Sequence, residues 1–400
     1  MTGRGAPPLL TGLSGLLAAL VLPLAMFTAN KSAALILCLV ALTALGGVAQ
    51  AKKLPQLVSP LSAPWPWPAR LGALLALLAI LSLGWTHAPA AAARSLAEAA
   101  IPLTAAVLTG LAWRIVPPQR LGMTLALGIG LAAMAAIADL STGMIYRVRM
   151  GIRTDTFVLN RSVVTDLLLL WPMLLLAGAR GRLLALAVVA VVTVAIFRSD
   201  SETAKLALVA SAVAFALALA APRLAALAVF GTGALLLVLA PWIGQIAGRL
   251  LSARASAAIA DAHAGDRIAI WQSFGAAVME RPMLGSGFGA STRMAADPLA
   301  GWVAEPLRLM LGAGHPHNSL LQIWVELGAL GAVITLCLLA ATLRAILAME
   351  RRVQPYAVAL SASVLSIAAV SHGAWQAWWI ASVGAGVVLT LVAQRDRERT

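Results

Sequence analysis

Apolar runs of about 20 residues recur from one end of this chain to the other, and each can cross roughly 30 Å of hydrocarbon. No other feature constrains the fold so tightly. A backbone inside lipid must satisfy its own polar groups, so each run has to be a helix. Composition points the same way: 61% of the 400 residues are hydrophobic and 11% are charged, where a soluble protein carries about 25% charged residues. The sequence predicts an all-α polytopic membrane protein with about twelve transmembrane helices, at 9–29, 32–50, 69–86, 95–115, 120–142, 162–179, 183–198, 203–221, 223–246, 318–343, 355–372 and 376–394. Residues 1–246 hold the first nine. A long connection, 247–317, separates them from the last three and a tail, 318–400.

The basic residues give these helices a direction. With the N-terminus in the cytoplasm, the cytoplasmic connections hold Lys52, Lys53, Arg70, Arg114, Arg120, Arg180, Arg182, Arg223, Arg344, Arg351 and Arg352. The tail adds Arg395, Arg397 and Arg399, against only Glu350, Asp396 and Glu398. Short basic connections on one side are what the positive-inside rule expects. The net charge of +14 is therefore scattered between apolar runs, with no basic stripe interleaved with aromatics. Membrane topology and anionic headgroups account for it, and nucleic acid is not an expected partner. Cys38 and Cys337 both lie inside apolar runs and read as packing residues. Arg4 alone precedes the first run, with no small-residue cleavage site, which predicts an uncleaved first helix.

The opposite face carries both signs and the long connection. Loops longer than about 15 residues in a compact domain are usually functional, so the chemistry is expected outside. Within the connection, 249–262 has the alanines and spaced charges of a helix, and 266–282 reads as an amphipathic helix ended by Pro282. LGSGFGAS (284–291) is a glycine-rich turn. No strand precedes it, so it is not a dinucleotide fingerprint. Next comes HPHNSLLQIWVELGALG (315–331), with His317 and Asn318 at the mouth of an apolar helix. An imidazole there is costly to keep without a task. Gly328 and Gly331 are spaced to leave a smooth face for a second helix.

Plainer readings stand beside these. His317 could cap its helix, Arg267 could pair with Asp266 or Glu280, and Arg161 with Asp166. Arg147, Arg149 and Arg153 could snorkel to lipid phosphates, and Asp139 reads as a neutral or paired carboxylate. His372 with Trp375, Trp378 and Trp379 reads first as an interfacial belt and second as a polyprenyl or sugar contact. Trp65 and Trp67 read as an interface anchor. No His, Cys and carboxylate cluster has ligand spacing, so neither a metal nor another cofactor is expected.

Four motifs together resemble the bacterial O-antigen ligase and polymerase family. His317-Asn318 followed by Gly328 and Gly331 is similar to that family's signature, and RPMLGSGFG (281–289) to the turn before it. GDRIAIW (265–271) resembles a helix start carrying the family's loop arginine, here Arg267. LNRSVVTDLLLLWP (159–172) resembles its Asn-Arg helix start, here Arg161. The resemblance covers about residues 155–335, and the first 150 only by hydropathy. One position departs: FRSDSETAKLAL (197–208) has Glu202 where the family has a basic residue. Arg198 or Lys205 would supply the charge.

The resemblance implies a GT-C-type, metal-independent glycosyltransferase in the bacterial inner membrane. It implies transfer of a glycan from undecaprenyl pyrophosphate to a sugar hydroxyl of lipid A-core at the periplasmic face. His317 would be the base and Arg267 its catalytic partner, with Arg161, Arg198, Lys205, His315, Asn318, Arg147, Arg149 and Arg153 binding substrate. The chemistry suits these residue types: guanidinium forks match phosphate oxygens, and an imidazole accepts a hydroxyl proton near neutral pH. A polymerase extending a growing carrier-linked glycan would use the same machinery. The 400-residue length, without an added soluble domain, leans toward ligase. A transporter or flippase is the reading from another class, disfavoured because no internal repeat is visible and the polar residues gather on one face.

Overall fold

The computed structural model describes residues 8–58, 66–178, 181–250 and 264–398. Within them the chain is helix and turn, with no strand. In chain order the helices are α1 (Leu9–Thr28), α2 (Ala33–Gln50), α3 (Trp67–Gly84), α4 (Pro89–Ile115), α5 (Leu121–Ser141), α6 (Thr156–Ala177), α7 (Arg182–Arg198), α8 (Glu202–Ala220), α9 (Pro222–Leu250), α10 (Ala264–Glu280), α11 (Ser319–Leu347), α12 (Gln354–Val370) and α13 (Ala377–Glu398). Ten of these are long and apolar enough to cross a membrane. The other two expected spans, α7 and α12, are 17 residues each, and α10 belongs to the long connection. The helix expected over 249–262 lies almost wholly outside the described residues, as does Trp65. Trp67 is exposed, with the Arg70 guanidinium 5.2 Å from its ring centre.

α6 is the axis of the bundle. Apart from Thr165 and Asp166 its middle is apolar on every side, from Val163 and Val164 through Leu167–Leu170 to Met173, which suits a helix surrounded by protein. Of its apolar window 83% is buried, the largest share of any crossing-length helix, and α1, α5, α7, α8, α12 and α13 pack around it. With no water to exclude, packing and interhelical hydrogen bonds hold such a bundle together. Trp171 Nε1 accordingly donates to Ser363 Oγ of α12 at 3.1 Å, and Thr165 Oγ1 lies 3.0 Å from Ser382 Oγ of α13. Leucines on the outer helices, such as Leu42, Leu183 and Leu224, are exposed, which suits a lipid-facing surface. Cys38 and Cys337 are free thiols in α2 and α11.

The glycines of α11 do something other than admit a second helix. Gly328 takes φ 61° and ψ −159°, which breaks α11 there, and the 282–287 turn fills the break. Ala329 N donates to Pro282 O at 2.8 Å, and Leu330 N to Met283 O at 3.3 Å. Ser286 N and Gly287 N return bonds to Val325 O and Glu326 O at 2.8 and 2.9 Å. Backbone groups released by a helix break in a membrane must find protein partners, and here the turn supplies them. The approach is so close that a Cβ on Gly285 would overlap Glu326 backbone, and one on Gly328 would overlap Met283 backbone. The turn is thus pinned to the helix that follows His317.

Candidate active site

The segment His315–Asn318 is shaped by its own short-range chemistry. Asn318 is extended (φ −154°, ψ 107°) and caps α11, its Oδ1 accepting from Leu320 N and Leu321 N at 3.0 Å each. Asn318 therefore performs the capping considered for His317. Its Nδ2 is buried and has no hydrogen-bond partner among the described residues. His317 holds φ 50°, a left-handed conformation costing roughly 1–2 kcal/mol for an L-residue. Strain of this kind concentrates at functional sites.

That backbone turn sets the ring chemistry. His317 Nδ1 lies 3.2 Å from Ser371 O, and a carbonyl only accepts, so Nδ1 carries the proton and Nε2 offers a lone pair. His315 Nδ1 accepts from His317 N at 3.1 Å, which leaves its proton on Nε2. The two rings lie 4.1 Å apart, centre to centre. Ser319 Oγ donates to His372 O at 2.8 Å, tying the α12–α13 connection to the same turn.

Two arginines complete the cluster. Arg161, in the first turns of α6, places its guanidinium 5.3 Å from the Trp378 ring centre, and His372 packs edge-on against that indole at 4.7 Å. Arg267 comes from the first turn of α10. Both guanidiniums are half-buried, and neither finds a hydrogen-bond acceptor or carboxylate within ion-pair distance among the described residues. Arg161 and Asp166 do not pair, and Asp166 lies buried with both carboxylate oxygens unpartnered among the described residues. Arg267 pairs with neither Asp266 nor Glu280. Burial lowers its pKa, and the Glu202 carboxylate partly offsets this.

The imidazoles share the same field. Burial lowers the His317 pKa, Arg267 lowers it further, and the Ser371 carbonyl pulls it back. Burial, then His317, then Arg161 bring His315 down to about 4. Burial, then Arg161, His315, His317 and Arg267 bring His372 down to about 3. All three are neutral at pH 7. Among the described residues no three His, Cys, Asp or Glu side chains converge as metal ligands.

Other expected site residues lie elsewhere. Arg198 is exposed and donates to Ser141 Oγ at 3.1 Å. Lys205 Nζ binds Glu202 Oε1 at 2.7 Å, so Glu202 stands between Lys205 and the field of Arg267. Arg147 does not snorkel to lipid: it is buried, 3.1 Å from Asp139 Oδ2, and donates to Phe27 O. Arg149 is exposed, and Arg153 pairs with Asp155 at 2.6 Å beside Phe157. His372 joins the cluster although the sequence reading gave it first to an interfacial belt. A signal existed, because counting spans puts 371–376 on the same side as His317. The support beneath was missed altogether. Glu326 is fully buried and accepts from Gly289 N at 2.7 Å, Gln322 Nε2 at 2.8 Å, Trp375 Nε1 at 2.6 Å and Ser291 Oγ. Gln322 Oε1 in turn accepts from Ala374 N at 2.8 Å.

Fold and site together define a helical protein with many membrane-length helices, gathering at one end of its bundle neutral imidazoles and arginines that have no ion-pair partner among the described residues. Residues 167–336 match the family model described as O-antigen ligase. The chain thus carries an O-antigen ligase-family segment, which runs from α6 past the break in α11 and includes Arg267 and His317. Its relatives include provisionally named polysaccharide ligases of Rickettsia. The protein of Rickettsia conorii is 31% identical over 140 residues, 33% of each chain. That of Rickettsia prowazekii is 33% identical over 127 residues, 30% of each, and that of Rickettsia felis 30% over 142, 33% of each. The matched stretch spans about a third of the length of these relatives.

Proposed function

We propose that this protein is a polysaccharide ligase that moves a glycan from undecaprenyl pyrophosphate to a sugar hydroxyl of lipid A-core at the periplasmic face of the inner membrane. One observation carries the reading: a strained histidine with a free Nε2 lone pair stands in the field of half-buried Arg267, half-buried Arg161 acts on the neighbouring His315 and His372, and neither arginine meets a carboxylate at ion-pair distance among the described residues. Such arginines are costly to bury unless a ligand supplies the counter-charge. A lipid-linked pyrophosphate is a polyanion at headgroup depth and meets that need.

In this reading the acceptor hydroxyl oxygen attacks the anomeric carbon of the donor sugar. His317 Nε2 takes the hydroxyl proton as the new C–O bond forms. The bond from that carbon to the pyrophosphate oxygen breaks, and Arg161 and Arg267 stabilise the negative charge gathering there. His315 supports the His317 backbone through Nδ1, and Asn318 holds the start of α11 and presents Nδ2 to the site. His372 and Trp378 form the wall beside Arg161. Arg147 and Arg153, held by carboxylates, take no part in this scheme, and Arg198, Lys205 and Arg149 are not drawn into the cluster. The positive-inside charge distribution supports an outward-facing site.

A polymerase would use the same groups, and a deletion strain separates the two activities. Deleting a ligase leaves long glycan on the carrier and none on lipid A-core, read by gel beside the carrier-linked pool. Loss of long chains from both pools contradicts the ligase reading and indicates a polymerase.

A further inference from the structure

A second cavity opens on the loop that carries the glycine-rich turn. It lies between the start of α4 and the segment after the turn, and its polar lining is Arg94, Ser95, Glu98, Thr292 and Arg293.

 The space, about 510 Å³, falls within the usual size of a small-ligand pocket, roughly 300–1,000 Å³. Neither arginine has an ion-pair partner among the described residues, and Glu98 is likewise unpaired.

The cavity is built, with its two walls locked together across some 200 residues of chain. Phe288 N donates to Ser82 Oγ at 2.8 Å, and His87 Nε2 lies 3.0 Å from Arg293 O. His87 Nδ1 lies 2.8 Å from the buried Asp297, which Arg281 also approaches at 3.5 Å. The same loop reaches the candidate active site through Ser291, which bonds Glu326, and through Gln322, which bonds both Ser291 and the Ala374 amide. Cavity and histidines therefore sit on one rigid polar scaffold.

We infer that this cavity is a second sugar subsite, binding a phosphorylated or otherwise acidic sugar of one glycan substrate through Arg94 and Arg293. Guanidinium forks match phosphate and carboxylate oxygens, while Glu98, Ser95 and Thr292 bond sugar hydroxyls. The uncapped first turn of α4 adds the Ala90 and Ala91 amide donors to the same space, Pro89 having no N–H. The inference rests on the ligase reading, since it assigns the anion to a substrate of that reaction.

The test uses purified full-length protein and the double variant Arg94→Gln/Arg293→Gln. Its probes are lipid A-core before and after chemical removal of its phosphates, and carrier-linked glycans with neutral or acidic repeats. The expected result is a KM at least about tenfold higher for the charged substrate with kcat retained, and no change when that substrate is neutral. Dependence on acceptor phosphate assigns the subsite to the acceptor; dependence on acidic repeats assigns it to the donor. Direct binding of each probe, measured without turnover, should show the same loss. Equal binding and equal KM for variant and wild type with every probe overturn the subsite. Absence of transfer by the wild-type protein, with binding still lost in the variant, overturns the ligase reading instead.

Discussion

His317 combines three properties that suit a base: a left-handed backbone, a tautomer fixed by Ser371 O, and a pKa below 6.5 set by burial and Arg267. The acid limb of the kcat/KM profile, which reports the free enzyme, should therefore fall below pH 6.5. In Arg267→Gln the residual activity should lose its acid limb at higher pH, because the depressing charge is gone; a limb that stays put contradicts the shared field. Stability has its own pH dependence. His315 and His372 have folded pKa values of about 4 and about 3, below the unfolded value of about 6.5. The unfolded chain binds protons first, so their stabilising contribution is complete above about pH 6.5 and is lost as pH falls toward 4 and then 3. Thermal unfolding in detergent should track that window, and His372→Ala should flatten its lower part.

At the scale of elements, the break in α11 joins the helix after His317 to the turn at 282–287. Gly328→Ala meets both a positive φ and the Met283 backbone, a loss of about 1–3 kcal/mol from strain alone. It should lower the unfolding midpoint and reduce transfer together, whereas an unchanged midpoint contradicts the docking. Much of this element was legible: the order of the glycine-rich turn, His317-Asn318 and Gly328 pointed to one functional unit. Its mechanics were not. Spacing alone suggested a smooth face for a second helix, because a helix break depends on a dihedral angle and on a turn 40 residues away in sequence. Arg147 was misplaced for a similar reason. Its partners Asp139 and Phe27 belong to two other helices, and only their packing converts an expected lipid contact into a buried ion pair.

Across the whole molecule, apolar runs marked out the ten described helices of membrane-crossing length, while α7 and α12, also expected as spans, reach only 17 residues each. Sidedness comes from the basic connections. It predicts that Glu305→Cys, in a background lacking Cys38 and Cys337, reacts with a membrane-impermeant thiol reagent applied from outside, and that Glu350→Cys reacts only after lysis. The reverse pattern would turn the site toward the cytoplasm and remove the lipid-linked donor from reach. What the bundle gathers at the His317 end is an imidazole nitrogen close to two guanidiniums that meet no carboxylate at ion-pair distance among the described residues. The most direct measurement is glycan transfer by purified His317→Ala protein given carrier-linked glycan and lipid A-core. The account predicts a loss of at least about 10²-fold, the usual scale for removing a general base, with folding and membrane level unchanged. Transfer at the wild-type rate would contradict it.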